Sequence, residues 1–396
     1  MAMLNVTNIA ATLKDWYLEG LRTQINEETD PLYSELEKTT EPVAGEQVTL
    51  SLRYGRSGGV GARADDGTLP TANARKSVKA TFKTKNLFAR MQITSKAIKA
   101  SETNRGAFVA SLNETLDDLL TDAKDNVQRQ LYGDGTGKIA TAAADATSST
   151  TVTMDTVVGL AEGMLVDWID GTDSTTVLHS GFEITVVNDD TNVVTFGTAC
   201  TVDTSDGDYV VVSGSNTLEM TGLAKIFAQT GSIYGLARSS YNFLKSTTRA
   251  VSGEIDEVGI QRGLDDAQNR TGVTHDFLIG SKGVLRAWMN LKIAERQAVN
   301  TLKLAGGWEV PTYSNGQGRV LPFIGAKYAP ASTLYAMARK NFMLAWMGDW
   351  DWLAKDGAIL SRVADKAGYE ATLELYADVC CDVIRGQVSF TSITEH

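Results

Sequence analysis

Residues 106–137 read GAFVASLNETLDDLLTDAKDNVQRQLYGDGTG. Val109, Leu112, Leu116, Leu119, Leu120, Ala123, Val127 and Leu131 recur there at steps of three and four. That spacing gathers apolar side chains on one face of an α-helix. A helix over 106–132 would be about 40 Å long at 1.5 Å per residue. Gly133-Asp134-Gly135-Thr136-Gly137 stops it, because glycine adopts the left-handed conformation that ends helices. An apolar stripe of that length needs a broad surface, such as a sheet, to lie across.

Strands are legible on both sides of it. Upstream, Gln47–Tyr54 alternates, with Val48, Leu50 and Leu52 on one face and Thr49, Ser51 and Arg53 on the other. The run Val78–Thr94 also reads as strand, with Phe82, Leu87, Phe88 and Met91. Between the two lies the glycine-rich stretch Arg56-Ser57-Gly58-Gly59-Val60-Gly61-Ala62-Arg63-Ala64-Asp65-Asp66-Gly67, which has little to bury. This strand–loop–strand unit is basic: Arg53, Arg56, Arg63, Arg75, Lys76, Lys79, Lys83, Lys85 and Arg90 face only Glu46, Asp65 and Asp66. A solvated surface hairpin is the plainer reading, whereas an acidic neighbour would give the charge a partner. Residues 1–45 are acidic, with Asp15, Glu19, Glu27, Glu28, Asp30, Glu35, Glu37 and Glu41 against Lys14, Arg22 and Lys38. Leu13, Trp16, Tyr17 and Leu21 suggest a helix at its start. Both a solvated tail and an interacting arm fit.

Downstream, residues 139–216 contain no Lys or Arg but twelve acids: Asp145, Asp155, Glu162, Asp167, Asp170, Asp173, Glu183, Asp189, Asp190, Asp203, Asp206 and Asp208. Short β-branched runs at Met164–Ile169, Phe182–Val187, Asn192–Phe196 and Tyr209–Val212 alternate with turns, and Asn188–Asn192 reads as a hairpin turn. The block is expected to be a small all-β domain inserted into a larger fold. The whole chain carries a formal −11, so outside this block it is close to neutral. From Leu218 the pattern is mixed. A helix is expected over Glu254–Thr271, with Val258, Leu264 and Ala267 inward and Gly272 as its stop. A buried strand follows at Phe277–Ile279, a helix near Lys282–Gln297, and a turn-rich loop over Ala298–Arg319. Late strands are expected at Leu334–Ala338, Met343–Trp346, Ala371–Val379 and Gly386–Thr391.

Chemical motifs are weak. Gly59-Val60-Gly61-Ala62-Arg63-Ala64 fits a loose dinucleotide fingerprint, but no helix opens after it to receive phosphate. Gly133–Lys138 lacks the spacing of a phosphate loop and follows a helix. Asp203-Thr204-Ser205-Asp206-Gly207-Asp208 lacks the closing Glu of a calcium loop and reads as an acidic turn. His179, His275 and His396 are too scattered for a metal cluster or a triad, and each is read as solvated. Cys200, Cys380 and Cys381 describe no disulfide framework, and Cys380-Cys381 reads as buried core. Trp346, Trp350 and Trp352 near Asp349 and Asp351 read as a core or subunit-contact cluster rather than a sugar platform. No catalytic, metal or cofactor site is assigned. Met1–Val6 lacks the signal-peptide pattern, no apolar run is long enough to span a membrane, and a soluble protein made in a reducing cytoplasm is expected. At 43% hydrophobic residues the chain can support a sizeable core. Its acidity makes free nucleic acid an unpromising partner.

The order of these segments resembles the major capsid proteins of tailed bacteriophages (Caudoviricetes) with the Hong Kong 97 fold, over nearly the whole chain. An arm precedes a long basic hairpin. A long helix then ends in Gln130-Leu131-Tyr132-Gly133-Asp134-Gly135-Thr136-Gly137. Within the block, Glu162-Gly163-Met164-Leu165-Val166-Asp167, Phe182–Val187, Gly207-Asp208-Tyr209-Val210 and Glu219-Met220-Thr221-Gly222-Leu223 resemble β-inserted capsid subunits. The resemblance implies an α+β fold made of an N-terminal arm (1–45), an E-loop hairpin (46–96) and a peripheral domain with its spine helix (97–138). The inserted β domain (139–216), the second part of the peripheral domain (217–272), an axial domain (273–370) and C-terminal strands (371–396) follow. The helix over 254–271 is then the second helix of the peripheral domain, and the loop near 305–318 points to five- or six-fold axes.

The same resemblance implies self-assembly of hexamers and pentamers into an icosahedral shell around double-stranded DNA. Arg53, Arg56, Arg63, Arg75, Lys76 and Lys79 of the E-loop, and Glu27, Glu28, Asp30, Glu35 and Glu37 of the arm, would be subunit contacts. Implied partners are a portal protein, a separate scaffolding protein, a decoration protein, and DNA held on the inner face without sequence specificity. No membrane and no cofactor are implied, and the location is the virion, with assembly in the host cytoplasm. Lys76 and Lys79 raise the covalent Lys–Asn welding of some relatives, but no acceptor Asn or catalytic Glu can be named. An encapsulin-like nanocompartment shell shares this fold and is the nearest alternative. A cell-surface β-sandwich adhesin is the alternative of another class.

Overall fold

A computed structural model describes residues 30–95, 105–197, 204–294, 301–303, 309–314, 316, 318–353, 361–363 and 366–396. The described chain opens with a single helical turn, α1 (Pro31–Glu35), whose cap Asp30 accepts from the Leu32 N–H at 2.8 Å. Proline opens the turn, where its missing N–H has no partner to lose. Then come β1 (Glu37–Thr39), β2 (Gln47–Arg53), β3 (Ser77–Lys83), β4 (Lys85–Thr94) and the helix α2 (Arg105–Tyr132). The inserted block holds β5 (Thr151–Thr153), β6 (Leu165–Ile169), β7 (Val177–Asn188), β8 (Val193–Phe196) and β9 (Tyr209–Val212). After it come α3 (Leu223–Phe227), β10 (Thr247–Gly253), α4 (Glu257–Thr271), β11 (Phe277–Ser281) and α5 (Lys282–Ala294). The chain closes with β12 (Thr301–Lys303), β13 (Glu309–Ser314), β14 (Val320–Ala326), β15 (Leu334–Met337), β16 (Phe342–Trp346), β17 (Gly368–Cys381) and β18 (Val388–Ile393).

Two sheets carry the body. In one, β17 pairs with β16 and with β4, and β1 adds in parallel to β16. The other is seven-stranded, in the order β10-β18-β15-β11-β14-β13-β12. Helices α4 and α5 bring Ile260, Leu264, Ala267, Val284 and Trp288 into one core with Leu278, Phe323 and Phe390 of the second sheet. The C-terminal end of α2 finds such support: Val127, Leu131 and Tyr132 enter the larger core with Leu32, Phe342, Leu344, Leu375 and Val379, whereas Leu116, Leu119 and Leu120 of the expected stripe are half-buried. Each such aliphatic side chain contributes about 1.5–3 kcal/mol on burial. Cys380 and Cys381 are fully buried in that core, which pushes both thiols up.

Four expectations need correction. The run Val78–Thr94 breaks at buried Thr84, whose N–H donates to Glu46 O at 3.1 Å. β3 stays with β2, from Gln47↔Lys83 to Arg53↔Ser77. β4 crosses to β17, from Lys85↔Ala377 to Thr94↔Gly368. Helix α4 starts later than expected because Asp256 caps the Val258 and Gly259 N–H groups. Its buried stripe is then Ile260, Gly263, Leu264 and Ala267, and Val258, rotated away from it, is 56% exposed. The stretch 298–319 contains β12 and β13 rather than loop alone, because β13 pairs with β14 through Thr312↔Pro322 to Ser314↔Val320. His275 is buried rather than solvated: its Nε2 lies 2.8 Å from Gly386 O, and burial pushes its pKa down.

The inserted block is β, as expected, and it closes on itself. Its sheet runs in the order Ala140–Thr141, β9, β6, β7, β8, β5. The two ends are then bridged, Ala142 to Met154, with the Ala143 N–H donating to Thr153 O at 2.9 Å. The result is a small barrel filled by Val152, Met154, Val166, Trp168, Phe182, Ile184, Val194, Phe196 and Val210, separate from the body's cores. Asn188–Asn192 makes the hairpin turn, with Val193↔Asn188 as the first β7–β8 pair and Asn192 at φ 53°. Several acids act as fasteners. Asp167 accepts from the Gly181 and Gly214 N–H groups, both at 2.8 Å. Asp208 accepts from Gly171 (2.8 Å) and Ser205 (2.7 Å), which accounts for the acidic turn without a cation.

Candidate assembly surfaces

The barrel's two connections to the body lie side by side at the end of α2. Thr217 N–H donates to Thr136 O at 2.8 Å, and Met220 N–H to Gln130 Oε1 at 3.1 Å. Gly135 and Gly137 take φ 83° and 89° there, and both face carbonyls of the outgoing segment 215–220, which accounts for the glycine cluster by close backbone approach. At Gly222 a Cβ would collide with Gln130 O and Gly133 O. Arg129 and Glu219 close the joint as an ion pair that is nearly buried on both sides. Asp378 holds the outgoing chain to β17, accepting from Thr221 N–H (2.7 Å), Thr221 Oγ1–H (3.2 Å) and Val379 N–H (3.0 Å). Its burial pushes the carboxyl up to about 7, against the opposing pull of these hydrogen bonds and of Lys85. Arg238 is buried and has no acid partner among the described residues. It donates instead to carbonyls of Leu244 (2.9 Å), Thr230 (3.0 Å) and Lys225 (2.5 Å), and so fixes the turn that follows α3.

The β2–β3 hairpin behaves differently. Its base is clamped: Tyr54 stacks on Phe243 (5.2 Å, 10° between planes) and meets Tyr241 edge-on, while Phe82 stacks on Tyr234 at 4.6 Å. The Tyr54 and Gly55 N–H groups both donate to Lys76 O. Beyond that point the two limbs continue as an irregular ribbon. Among the described residues the hydrogen bonds of 56–75 stay within it, among them Ser57 Oγ–H to Asn73 O (2.9 Å), Arg63 Nε–H to Thr68 O (3.0 Å), Arg63 Nη1–H to Ala62 O (3.0 Å) and Gly67 N–H to Ala64 O (3.0 Å). Val60 and Leu69 at its far end are 86% and 82% exposed.

All six cations expected at a contact, Arg53, Arg56, Arg63, Arg75, Lys76 and Lys79, are exposed, and none forms an ion pair among the described residues. Lys83 and Arg90 differ. The first pairs with Glu46 at 2.5 Å and the second with Glu370.

The acids of the arm divide. Glu27 and Glu28 lie outside the described residues. Asp30 and Glu35 were expected to face a neighbour, but their carboxylates are engaged within the chain. Asp30 is buried and accepts from Tyr132 O–H at 2.8 Å, while its own N–H donates to Gln128 Oε1 at 2.8 Å. Glu35 pairs with Arg339 and is nearly buried. The arm docks here because Leu32, Tyr33 and Leu36 enter the main core. Glu37 alone of the described set is exposed, on β1 opposite Met343. It lines a groove of about 350 Å³ with Glu41, Leu50, Met343 and Asp382. Glu41 was counted among the arm's acids but not among the expected contacts, and Asp382 was not singled out from sequence. Asp382 lies far from the arm in the chain, and only the β1–β16 pairing brings it near.

The tryptophans follow the core reading in part, since Trp346 and Trp350 pack against the main core. Trp350 also borders a second groove between α2 and β4, with Leu87, Phe88, Leu119 and Ala123. Among the described residues no group of His, Cys, Asp and Glu could hold a metal ion, and no helix is long and apolar enough to cross a membrane.

No protein-family model matches the chain, and no curated protein matches it. Solved structures do. A chain of the cyanophage A-1(L) capsid asymmetric unit superposes with a TM-score of 0.60 at 12% identity, covering 99% of this chain and 100% of that one. A chain of the native GTA particle capsid gives 0.50 at 10% identity, over 99% and 100%. The holo-SrpI encapsulin of Synechococcus elongatus gives 0.49 at 9% identity, over 100% and 99%, too low a score to weigh for or against either kind of shell. The chain therefore has, along its full length, the α+β Hong Kong 97-like fold of the phage capsid subunits.

Proposed function

We propose that this chain is the major capsid protein of a tailed phage, a structural subunit that assembles into a closed icosahedral shell of hexamers and pentamers. The observation that carries this reading is the ribbon over 56–75. It exposes two large apolar side chains and three of the six cations, Arg56, Arg63 and Arg75, on a backbone whose hydrogen bonds among the described residues stay within the ribbon. Such a segment gains little within one chain, and against a second copy it gains both apolar burial and charge. On this reading residues 1–45 are the arm, 46–83 the E-loop and α2 the spine of the peripheral domain. The sheet of β4 and β17 lies under that spine, and the seven-stranded sheet with α4 and α5 carries most of the axial part.

Individual exposed ion pairs are worth under about 1 kcal/mol and serve register and partner choice. Apolar burial at roughly 25 cal/mol per Å² supplies affinity, multiplied by many contacts per subunit. The barrel's twelve acids without a base would repel packaged DNA, so the barrel belongs on the outer face. A portal protein, a separate scaffolding protein, a decoration protein, DNA on the inner face and assembly in the host cytoplasm complete the proposal.

Electron microscopy of the purified protein tests it. Closed icosahedral particles are expected. Monomers at every concentration, with or without a coexpressed scaffolding protein, would refute the reading.

A further inference from the structure

We propose that the groove between β1 and the turn after β17 is the receiving site for the ribbon of a second copy, with Glu37, Glu41 and Asp382 meeting Arg56 and Arg63. The inference rests on the shell reading above and names the contact that reading leaves open.

Three observations on opposite sides of the contact fit together. The groove, of about 350 Å³, combines carboxylates with an apolar floor of Leu50 and Met343. None of the three carboxylates has a side-chain hydrogen bond or ion pair among the described residues, and partial burial pushes the Asp382 carboxyl up. The ribbon carries the complement: Arg56 and Arg63, exposed and with no acid partner among the described residues, although Arg63 donates to the Ala62 and Thr68 carbonyls, stand near Val60 and Leu69, which are almost fully exposed. Planar guanidinium groups suit carboxylates, to which they bind through paired hydrogen bonds.

The chain's own ribbon cannot fill its own groove. Leu50 sits in the paired part of β2, and the hairpin runs away from it through Arg53↔Ser77 and the Tyr54 clamp. At about 3.3 Å per residue, Val60 lies on the order of 30 Å beyond Leu50. The ribbon thus extends away from its own groove, and the occupant we assign is another molecule of the same chain.

Charge exchange tests this in the full-length protein, read by counting closed particles. Glu37→Lys with Glu41→Lys is expected to lower particle yield at least tenfold, as is Arg56→Glu with Arg63→Glu. All four substitutions together should restore yield to within about threefold of the parent. All sites are exposed, and unchanged thermal melting checks that each variant folds. A combined variant no better than either half would overturn the landing site, as would normal particles from either half. A second readout is independent of yield. In parent-like shells carrying Arg63→Cys and Glu41→Cys, oxidation should link chains into dimers and larger ladders on a non-reducing gel, and the absence of links would also overturn it. A parent protein that forms no particles at all would instead overturn the shell reading itself.

Discussion

The barrel of 139–216 and the ribbon of 56–75 are both appendages of one body, yet they meet their physical requirements in opposite ways. The barrel joins its two sheet ends, fills its interior with Trp168, Phe182 and Phe196, and uses Asp167 and Asp208 to tie its own loops. The ribbon closes nothing. Its cations have no acid partner among the described residues, and its apolar tips face water. A closed sheet has no edge left to pair, whereas an open hairpin is a marginal structure by itself. The contrast bears on the proposed function: the self-sufficient appendage needs nothing beyond the chain, and on the shell reading the unsatisfied one is the part that a neighbour completes.

The sharpest way to break the comparison is to remove each appendage's defining piece. Deleting Arg56–Ala74 should abolish closed shells while leaving the melting temperature of the dispersed chain nearly unchanged, because no bond to the body is lost. Particles of normal yield from that deletion would end the argument. Trp168→Ala is the converse. It empties the barrel's largest buried side chain, a change that typically costs about 3–5 kcal/mol. The barrel should become protease-sensitive and the body should not, as peptide mapping after brief digestion would show.

Asp378 separates the joint from both appendages. Its folded pKa of about 7 lies above the roughly 3.9 of an unfolded Asp. Between these values the folded chain holds a proton that the unfolded chain has released. This group's contribution is therefore full below about pH 4 and is lost as pH rises through 7. Denaturant melts should show stability falling by a few kcal/mol across that window. Asp378→Asn, which keeps an acceptor for Thr221, should flatten the profile. Gly222→Ala comes next, with about 1–3 kcal/mol lost to overpacking against the end of α2, measured the same way. Smallest is Tyr54→Ala, with about 1 kcal/mol from the lost aromatic pair and a looser ribbon base detectable by faster amide exchange at Gly55.

Much of this was legible in the residues, and the exceptions share a cause. Periodicity placed α2 and the barrel strands because their burial is one-sided and local. Composition drew attention to the hairpin, since nine cations against three acids need no tertiary knowledge to be conspicuous. What sequence missed depended on partners distant in the chain. β4 reads as a continuation of β3 until β17 claims it. Asp30 and Glu35 look like free surface acids until Tyr132 and Arg339 appear beside them. His275 looks solvated until Gly386 covers it. Asp382 becomes a candidate only because β1 adds to β16.

Hydrogen exchange over residues 55–76, in dispersed chains and in assembled particles, tests the central claim most directly. The account expects amides there to exchange rapidly in the dispersed chain and to become protected at least a hundredfold on assembly. Protection already present in the dispersed chain, or none gained in the particle, would contradict it.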